Sequence, residues 1–135
     1  MRSGTNEIGC GLAILLDTQA IVWLRMGDPR LSPVAADVIA AGDVPIFISA
    51  VTAYEFSELD KRNRFGLPLM LETVVEALGA VVTDFPAECW KIAVSLPPLH
   101  RDPVDRMLIA HAIHADLAIV TADTTMRAYP VRTIW

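Results

Sequence analysis

Short apolar runs alternate with longer segments of helical period along the chain. Four runs, GLAILLD, VPIFIS, AVVTDF and LAIVTAD, predict β-strands, and a turn followed by VRTIW ends the chain. Strands that are apolar throughout, rather than at alternate positions, indicate a parallel sheet covered on both faces. The pattern therefore predicts an α/β domain with a central, mostly parallel sheet between two layers of helices.

The predicted helices have recognisable end residues. SPVAADVIAAG has Ser32 as a candidate N-cap, Pro33 at the first helical position and Gly42 as a stop. Two further helices are predicted in AVTAYEFSELDKRN and PLMLETVVEALG, the second closed by Gly79, and Pro86 is predicted to open another. The segment HRDPVDRMLIAHA predicts the last helix, just before the final apolar strand.

Composition limits the class of protein. With 135 residues, of which 53% are hydrophobic, the chain suits one domain over residues 1–135, with residues 1–11 as a candidate flexible extension. No apolar run approaches the roughly 20 residues that cross a bilayer, so we expect a cytoplasmic protein without a membrane segment. Cys10 and Cys89 lie too far apart to suggest a zinc motif. A net charge of −5 argues against binding of nucleic acid through a basic coat.

Two acids stand where strands end. Asp17 closes LAILLD and Asp123 follows AIVTA. Ligand sites of parallel sheets form beyond the carboxyl ends of the strands, so these carboxylates are candidates for one site. The alternative for each is a turn or helix-cap role, which is common for aspartate after a strand.

A third acid lies on a helix. Glu55 falls midway between Val51 and Leu59 at four-residue spacing, which places its carboxylate on the apolar face. Glu58 is different, because its spacing from Arg62 is that of an exposed ion pair. We therefore take Glu55 as a site candidate and Glu58 as structural.

The segment HRDPVDRMLIAHA carries two aspartates of different character. Asp102 directly precedes Pro103 and suits the N-cap, although it could also serve as a secondary ligand. Asp105 shares a face with Leu108 and Ile109, and a carboxylate held near apolar surface is costly unless a cation or metal accompanies it. A capping-box or dipole role is the alternative for Asp105.

In this order and spacing, LLDTQAIVWL, ISAVTAYEFSEL, HRDPVDRMLIAHA and AIVTAD resemble the PIN-domain ribonucleases, in particular the VapC-type toxins of toxin–antitoxin pairs. The resemblance runs from about Leu12 to Trp135 and implies a PIN-like three-layer fold. It implies an endoribonuclease that depends on Mg²⁺ or Mn²⁺, with an acidic cluster at Asp17, Glu55, Asp105 and Asp123. Asp17, Asp105 and Asp123 would bind the metal, and Glu55 would ligate it or orient the attacking water.

The resemblance also implies partners. These are an RNA substrate, a cognate VapB-type antitoxin and a second copy of the chain in a homodimer. The apolar segments AIVWLRM and PLMLETVVEAL are candidate contact surfaces, although core packing accounts for most of their side chains.

Other polar residues are weaker candidates. Arg101 and Arg106 flank the acidic motif and could contact RNA phosphates, or one could pair with a site carboxylate. Thr18 and Ser49 follow or end strands and could contact substrate, but helix capping explains both equally well. The three histidines match no zinc motif, so we expect surface or packing roles for them: His100, His111 and His114.

Three alternatives remain. A haloacid-dehalogenase-like phosphatase would need an aspartate two positions after Asp17, where Gln19 stands. A receiver-like signalling domain would want a lysine after a late strand, and AIVTADTTM has none. A PIN fold that has lost its nuclease activity and serves as an interaction module is the third, and the presence of all four acids argues against it.

Overall fold

Five parallel strands form one sheet in residues 13–135, the part of the chain that the computed structural model describes. The strands are β1 Ile14–Leu16, β2 Ile46–Ser49, β3 Val81–Thr83, β4 Ala118–Val120 and β5 Thr133–Ile134. Their order across the sheet is β3-β2-β1-β4-β5, and every neighbouring pair is parallel. The predicted α/β fold is confirmed, and VRTIW adds a short edge strand that was not predicted. The extension predicted for residues 1–11 lies outside the described residues.

Six α-helices and one 3₁₀ helix accompany the sheet within residues 13–135. They are α1 Thr18–Met26, α2 Pro33–Ala41, α3 Ala50–Lys61, α4 Leu71–Leu78, α5 Cys89–Ser95, α6 Pro103–Ala115 and the 3₁₀ helix Thr124–Ala128. The apolar pattern did not separate α1 from the strand before it. The predicted caps of α2 are confirmed, because the Ser32 hydroxyl accepts a hydrogen bond from Ala35 N at 3.1 Å and Gly42 ends the helix with φ 73°.

Two helices begin later than their prolines suggest. Helix α4 begins at Leu71 rather than near Pro68, because Met70 has φ 62° and interrupts the helical backbone. Helix α5 begins at Cys89, because the residues after Pro86 form a turn first. Proline marks the approach to each helix, whereas backbone geometry decides where the helix starts.

The two faces of the sheet pack against different helices. In β1, Ile14 and Leu16 belong to a core shared with α1, α2, α3 and α4, whereas Leu15 points into a second core shared with α6. Successive strand residues point to opposite faces, so a strand with helices on both sides must be apolar at every position. All three β1 side chains are fully buried, and each contributes roughly 1.5–3 kcal/mol of transfer free energy. This explains the continuous apolar runs in the sequence.

The central pairing of β1 with β4 creates the edge where the site lies. Leu16 is in register with Val120, and the Asp17 N–H donates to the Val120 carbonyl at 3.3 Å. The residues that follow both strands therefore emerge side by side. None of the helices in residues 13–135 is long and apolar enough to cross a membrane.

Candidate active site

A cleft of about 360 Å³ opens at the carboxyl edge of the sheet. Its lining residues come from the ends of β1 and β4 and from helices α1, α3 and α6: Asp17, Thr18, Gln19, Glu55, Leu59, Asp102, Asp105, Ala122 and Asp123. All four acids of the predicted cluster line this cleft, and Asp102 joins them. Carboxylates from four separate segments of the chain thus converge in one place.

Asp17 is the most deeply buried of these acids. It is 7% exposed and caps α1, with Oδ1 accepting a hydrogen bond from Ala20 N at 2.8 Å. Burial raises the pKa of Asp17 to about 6, although hydrogen bonds from Thr121 and Ala20 lower it in part. The capping role and the site role are therefore compatible, because a carboxylate has lone pairs left after one backbone hydrogen bond.

Glu55 projects from the middle of α3 into the cleft beside Leu59. The Thr18 hydroxyl, at the start of α1, donates a short hydrogen bond to Glu55 Oε1. Thr18 therefore lies in the cleft, where its hydroxyl positions the Glu55 carboxylate. Glu58 forms a long 3.8 Å contact with Arg62, as its spacing predicts, and takes no part in the cleft.

Asp102 and Asp105 differ in what they contact. Asp102 caps α6, and its Oδ1 accepts from Val104 N at 2.8 Å and from Asp105 N at 3.3 Å. Asp105 lies one turn into the helix, with 27% of its side chain exposed. Burial, followed by the negative charge of Asp102, raises the pKa of Asp105 to about 7. A cation bound beside Asp105 would relieve this unfavourable environment for the ionised form.

Asp123 has the opposite electrostatic balance. Burial would raise the pKa of Asp123, but hydrogen bonds from His100 and from Thr125 N outweigh burial and lower it. Thr125 N donates to Oδ1 at 2.8 Å, which caps the 3₁₀ helix. The protein itself therefore favours the ionised form of Asp123, in contrast to Asp17 and Asp105.

His100 is a site residue that sequence reasoning missed. Its Nε2 lies 2.6 Å from Asp123 Oδ2 and 3.1 Å from Asp105 Oδ2. The expectation of a surface or packing role is wrong for His100, because the loop before α6 turns its ring into the acidic cluster. The expectation holds for the other two histidines, since His111 is buried and His114 is exposed.

Arg106 does not point at the cleft. Its terminal nitrogens donate to the carbonyl oxygens of four residues in α5 and the following loop: Ala93, Leu96, Pro97 and His100. These contacts use the terminal nitrogens that would donate to a phosphate, so this geometry gives no support to the phosphate contact expected for Arg106. Arg101 is exposed and remains a candidate for that contact.

Ser49 is also removed from the cleft. It is fully buried, and its hydroxyl contacts His111 Nδ1 at 3.0 Å and accepts from Val51 N at 3.3 Å. A fully buried side chain cannot reach a substrate. Ser49 therefore caps α3, and its buried position does not support the substrate contact that the sequence suggested.

The acids of the cleft have no lysine or arginine partner within residues 13–135. The lysine and arginine ion pairs in that range are all elsewhere: Arg30 with Asp28, Arg62 with Glu58 and Arg132 with Asp116. His100 Nε2, Asp105 and Asp123 place three potential ligand atoms within 4.8 Å of one another. Clustered carboxylate oxygens without a lysine or arginine beside them are the kind of ligand set that Mg²⁺ and Mn²⁺ prefer.

Comparison with known proteins agrees with this architecture. A family model of the PIN domain matches residues 14–131. The chain belongs to the PIN-domain family. This match confirms the resemblance to PIN-domain proteins that the sequence indicated. The five-stranded parallel sheet and its helices are therefore the fold of a PIN domain.

Individual PIN-domain relatives cover nearly the whole chain. It is 28% identical over 129 residues to Ribonuclease VapC22 of Mycobacterium tuberculosis (strain ATCC 25618 / H37Rv), covering 90% of this chain and 98% of that relative. Similar solved structures include VapBC2 from Rickettsia felis bound to a DNA fragment from their promoter, with a TM-score of 0.65 and 18% identity over 90% of this chain and 97% of that one. Another is Mycobacterium tuberculosis VapC20, a sarcin-ricin loop cleaving toxin, with a TM-score of 0.65 and 17% identity over 88% of this chain and 96% of that one. At these identities the solved structures establish the fold.

Proposed function

We propose that this PIN-domain protein is an endoribonuclease that hydrolyses RNA phosphodiester bonds with Mg²⁺ or Mn²⁺. The observation that carries the proposal is the convergence of Asp17, Glu55, Asp105 and Asp123 in one cleft without a lysine or arginine partner in residues 13–135. Such a cluster is stable when a divalent cation supplies the missing positive charge. The ribonuclease named among its relatives, VapC22, supports RNA as the substrate.

The carboxylates divide into two roles in this proposal. Asp17, Asp105 and Asp123 would hold the ion. The raised pKa values of Asp17 and Asp105, about 6 and about 7, fit acids whose ionised forms a bound cation would stabilise. When bound, the ion neutralises charge on the phosphate and makes water a stronger nucleophile. Asp102 begins α6 and thereby places Asp105.

Glu55 acts on the attacking water. Its Oε1 is held by the Thr18 hydroxyl, which leaves the rest of the carboxylate facing the cleft. Glu55 orients the water and accepts one of its protons while the water oxygen forms a bond to phosphorus. The bond from phosphorus to the leaving ribose oxygen breaks, and that oxygen takes up a proton from solvent. Arg101, exposed at the approach to α6, contacts a phosphate of the bound strand.

The resemblance to VapC-type toxins implies the partners: we propose that this chain is the toxin of a toxin–antitoxin pair and forms a homodimer. Its likeness in fold to VapBC2, solved with promoter DNA, and to the toxin VapC20 supports this proposal. A VapB-type antitoxin would silence the nuclease by covering the acidic cleft. The antitoxin should then block the metal-dependent cleavage at the cleft acids. A cleavage assay with and without the antitoxin therefore tests the nuclease and its partner together.

The test is RNA cleavage by the purified protein with Mg²⁺, with Mn²⁺ and with EDTA. Asp17→Asn and Asp105→Asn should each abolish cleavage while leaving the fold intact. Asp37→Asn is the matched control, because it removes the same charge from an exposed position on α2. Cleavage that persists in EDTA, or full activity in both site variants, would contradict the proposal. Phosphorylation of Asp17 by a small phosphodonor without RNA cleavage would favour the receiver-like alternative.

A further inference from the structure

His100 is held rigidly in the loop between α5 and α6. The backbone N–H of His100 donates to the Tyr129 hydroxyl at 2.8 Å, and the backbone carbonyl of His100 accepts from Arg106 Nη1 at 3.2 Å. Tyr129 is itself 3% exposed and donates to the Pro97 carbonyl at 2.7 Å. With 13% of its own side chain exposed, His100 has little freedom to turn away from the cleft.

The contacts of the ring nitrogens select one tautomer. Asp102 N–H donates to His100 Nδ1 at 3.2 Å, so Nδ1 is the nitrogen without a proton. In the neutral ring the proton then lies on Nε2, the nitrogen that faces Asp123 Oδ2 at 2.6 Å and Asp105 Oδ2 at 3.1 Å. The ring therefore presents an N–H group to both carboxylates.

The same contact argues against His100 as a metal ligand. A ligating Nε2 has no proton, so the neutral ring would carry its proton on Nδ1, where the Asp102 N–H would face it donor to donor. Histidines that bind metals usually give their other ring N–H to a carboxylate or carbonyl acceptor. Here the other nitrogen faces a backbone donor, so the loop geometry makes His100 a donor to the ligands.

We propose that His100 is a positioning residue of the metal site. Its Nε2–H holds Oδ2 of Asp105, on α6, and Oδ2 of Asp123, after β4, in the arrangement in which both bind one divalent ion. The two acids lie on different elements and have no direct hydrogen bond to each other among the described contacts, so His100 is the group that joins them. This inference rests on the proposed function.

The experiment measures Mn²⁺ binding by calorimetry and by loss of the free-ion EPR signal, with the full chain. His100→Phe keeps a planar ring but removes the N–H, whereas His100→Gln keeps an N–H at similar reach. We expect His100→Phe to weaken Mn²⁺ binding by about 10–100-fold, and His100→Gln to recover most of that loss. His114→Phe, at an exposed position of α6, is the matched control and should bind as the unmodified protein does.

Two further measurements separate positioning from ligation and from folding. Pulsed EPR of the Mn²⁺-loaded protein carrying ¹⁵N-labelled histidine should show no directly bound imidazole nitrogen, and a directly bound nitrogen would overturn the inference. Thermal unfolding in EDTA identifies any variant that has lost its fold. If His100→Phe is unfolded, the comparison of His100→Gln with the unmodified protein decides. A folded His100→Gln that binds Mn²⁺ as weakly as Asp105→Asn overturns the inference.

The outcomes distinguish the two proposals. If the protein binds Mn²⁺ and Asp17→Asn does not, but His100→Phe binds as tightly as the unmodified protein, the positioning role is overturned and the proposed function stands. If neither the protein nor Asp17→Asn binds Mn²⁺ or Mg²⁺, both proposals are overturned.

Discussion

The guanidinium of Arg106 donates a 2.8 Å hydrogen bond to the carbonyl oxygen of Ala93. The same nitrogen donates to the Leu96 carbonyl, so one side chain of α6 serves two carbonyls at the end of α5. The other terminal nitrogen reaches the loop that carries His100. Arg106 thus connects the stability of the fold to the placement of the site.

Arg106→Lys should therefore destabilise the protein. Lysine has a single ammonium group and cannot reproduce the planar fork that serves several carbonyls, so we expect a loss of about 1–3 kcal/mol in the free energy of unfolding. Urea unfolding checks this loss. Arg101→Lys, at an exposed position, is the control and should leave stability unchanged. An unchanged stability with a large loss of RNA affinity for Arg106→Lys would instead support the phosphate contact expected from the sequence.

Two substitutions at Asp102 separate capping from ligation. Asn accepts the backbone hydrogen bonds of Val104 and Asp105 as Asp does, so Asp102→Asn should keep both stability and RNA cleavage near their original values. Asp102→Ala should lose about 1 kcal/mol of unfolding free energy, because α6 then begins without a cap. A loss of cleavage in Asp102→Asn as large as that in Asp105→Asn would instead make Asp102 a metal ligand.

Ser49 and His111 form a buried pair whose loss should affect stability alone. Ser49→Ala removes the oxygen that lies 3.0 Å from His111 Nδ1 and leaves a buried ring nitrogen without a partner. We expect a cost of about 1–3 kcal/mol in unfolding free energy, with Mn²⁺ affinity unchanged. Ser57→Ala, exposed on the same helix, should be neutral in both measurements. Weaker Mn²⁺ binding by folded Ser49→Ala would place Ser49 in the site after all.

Stability without metal should depend on pH through Asp17. Folding raises the pKa of Asp17 from 3.8 to about 6, so the folded state favours the neutral carboxyl. The resulting stability is complete below pH 3.8 and is lost as pH rises through about 6. Relative to Asp17→Asn, the unmodified protein in EDTA should therefore lose on the order of 1 kcal/mol between pH 5 and pH 8.

Chemical unfolding of both proteins across this pH range provides the measurement. Burial lowers the pKa of His111 and gives a slope of opposite sign near pH 6, but that slope is common to both proteins and cancels in the difference. Added Mn²⁺ should restore the unmodified protein at pH 8 far more than at pH 5, because the ion binds the ionised carboxylate. A difference that stays constant with pH would contradict the burial of an ionisable Asp17.

Several features could be read from the sequence because they depend on neighbours along the chain. Pro103 after Asp102 predicts the start of α6, and that start decides that Asp105 lies one turn in and faces the apolar side. Strands apolar at every position predict a sheet covered on both faces, and acids directly after such strands predict an edge site. Strand ends selected Asp17 and Asp123, the helix start selected Asp105, and four-residue spacing on an apolar helix face selected Glu55. The fold brings all four to one cleft.

Other features depend on residues far apart in the chain. His100 meets Asp123 across 23 positions, and Ser49 meets His111 across 62. The local pattern does not distinguish a histidine that contacts two carboxylates from an exposed one. It also does not distinguish an arginine that donates to backbone carbonyls from one that is free to bind a phosphate.

The sequence by itself determined four of the five strands, most of the helices and the acids of the cleft, because periodicity, caps and strand ends are local properties of the chain. Only the tertiary structure decided the roles of His100, Arg106 and Ser49. Their hydrogen-bond partners come from segments that the parallel sheet brings together, and a polar side chain acts according to the partner that it meets in the fold.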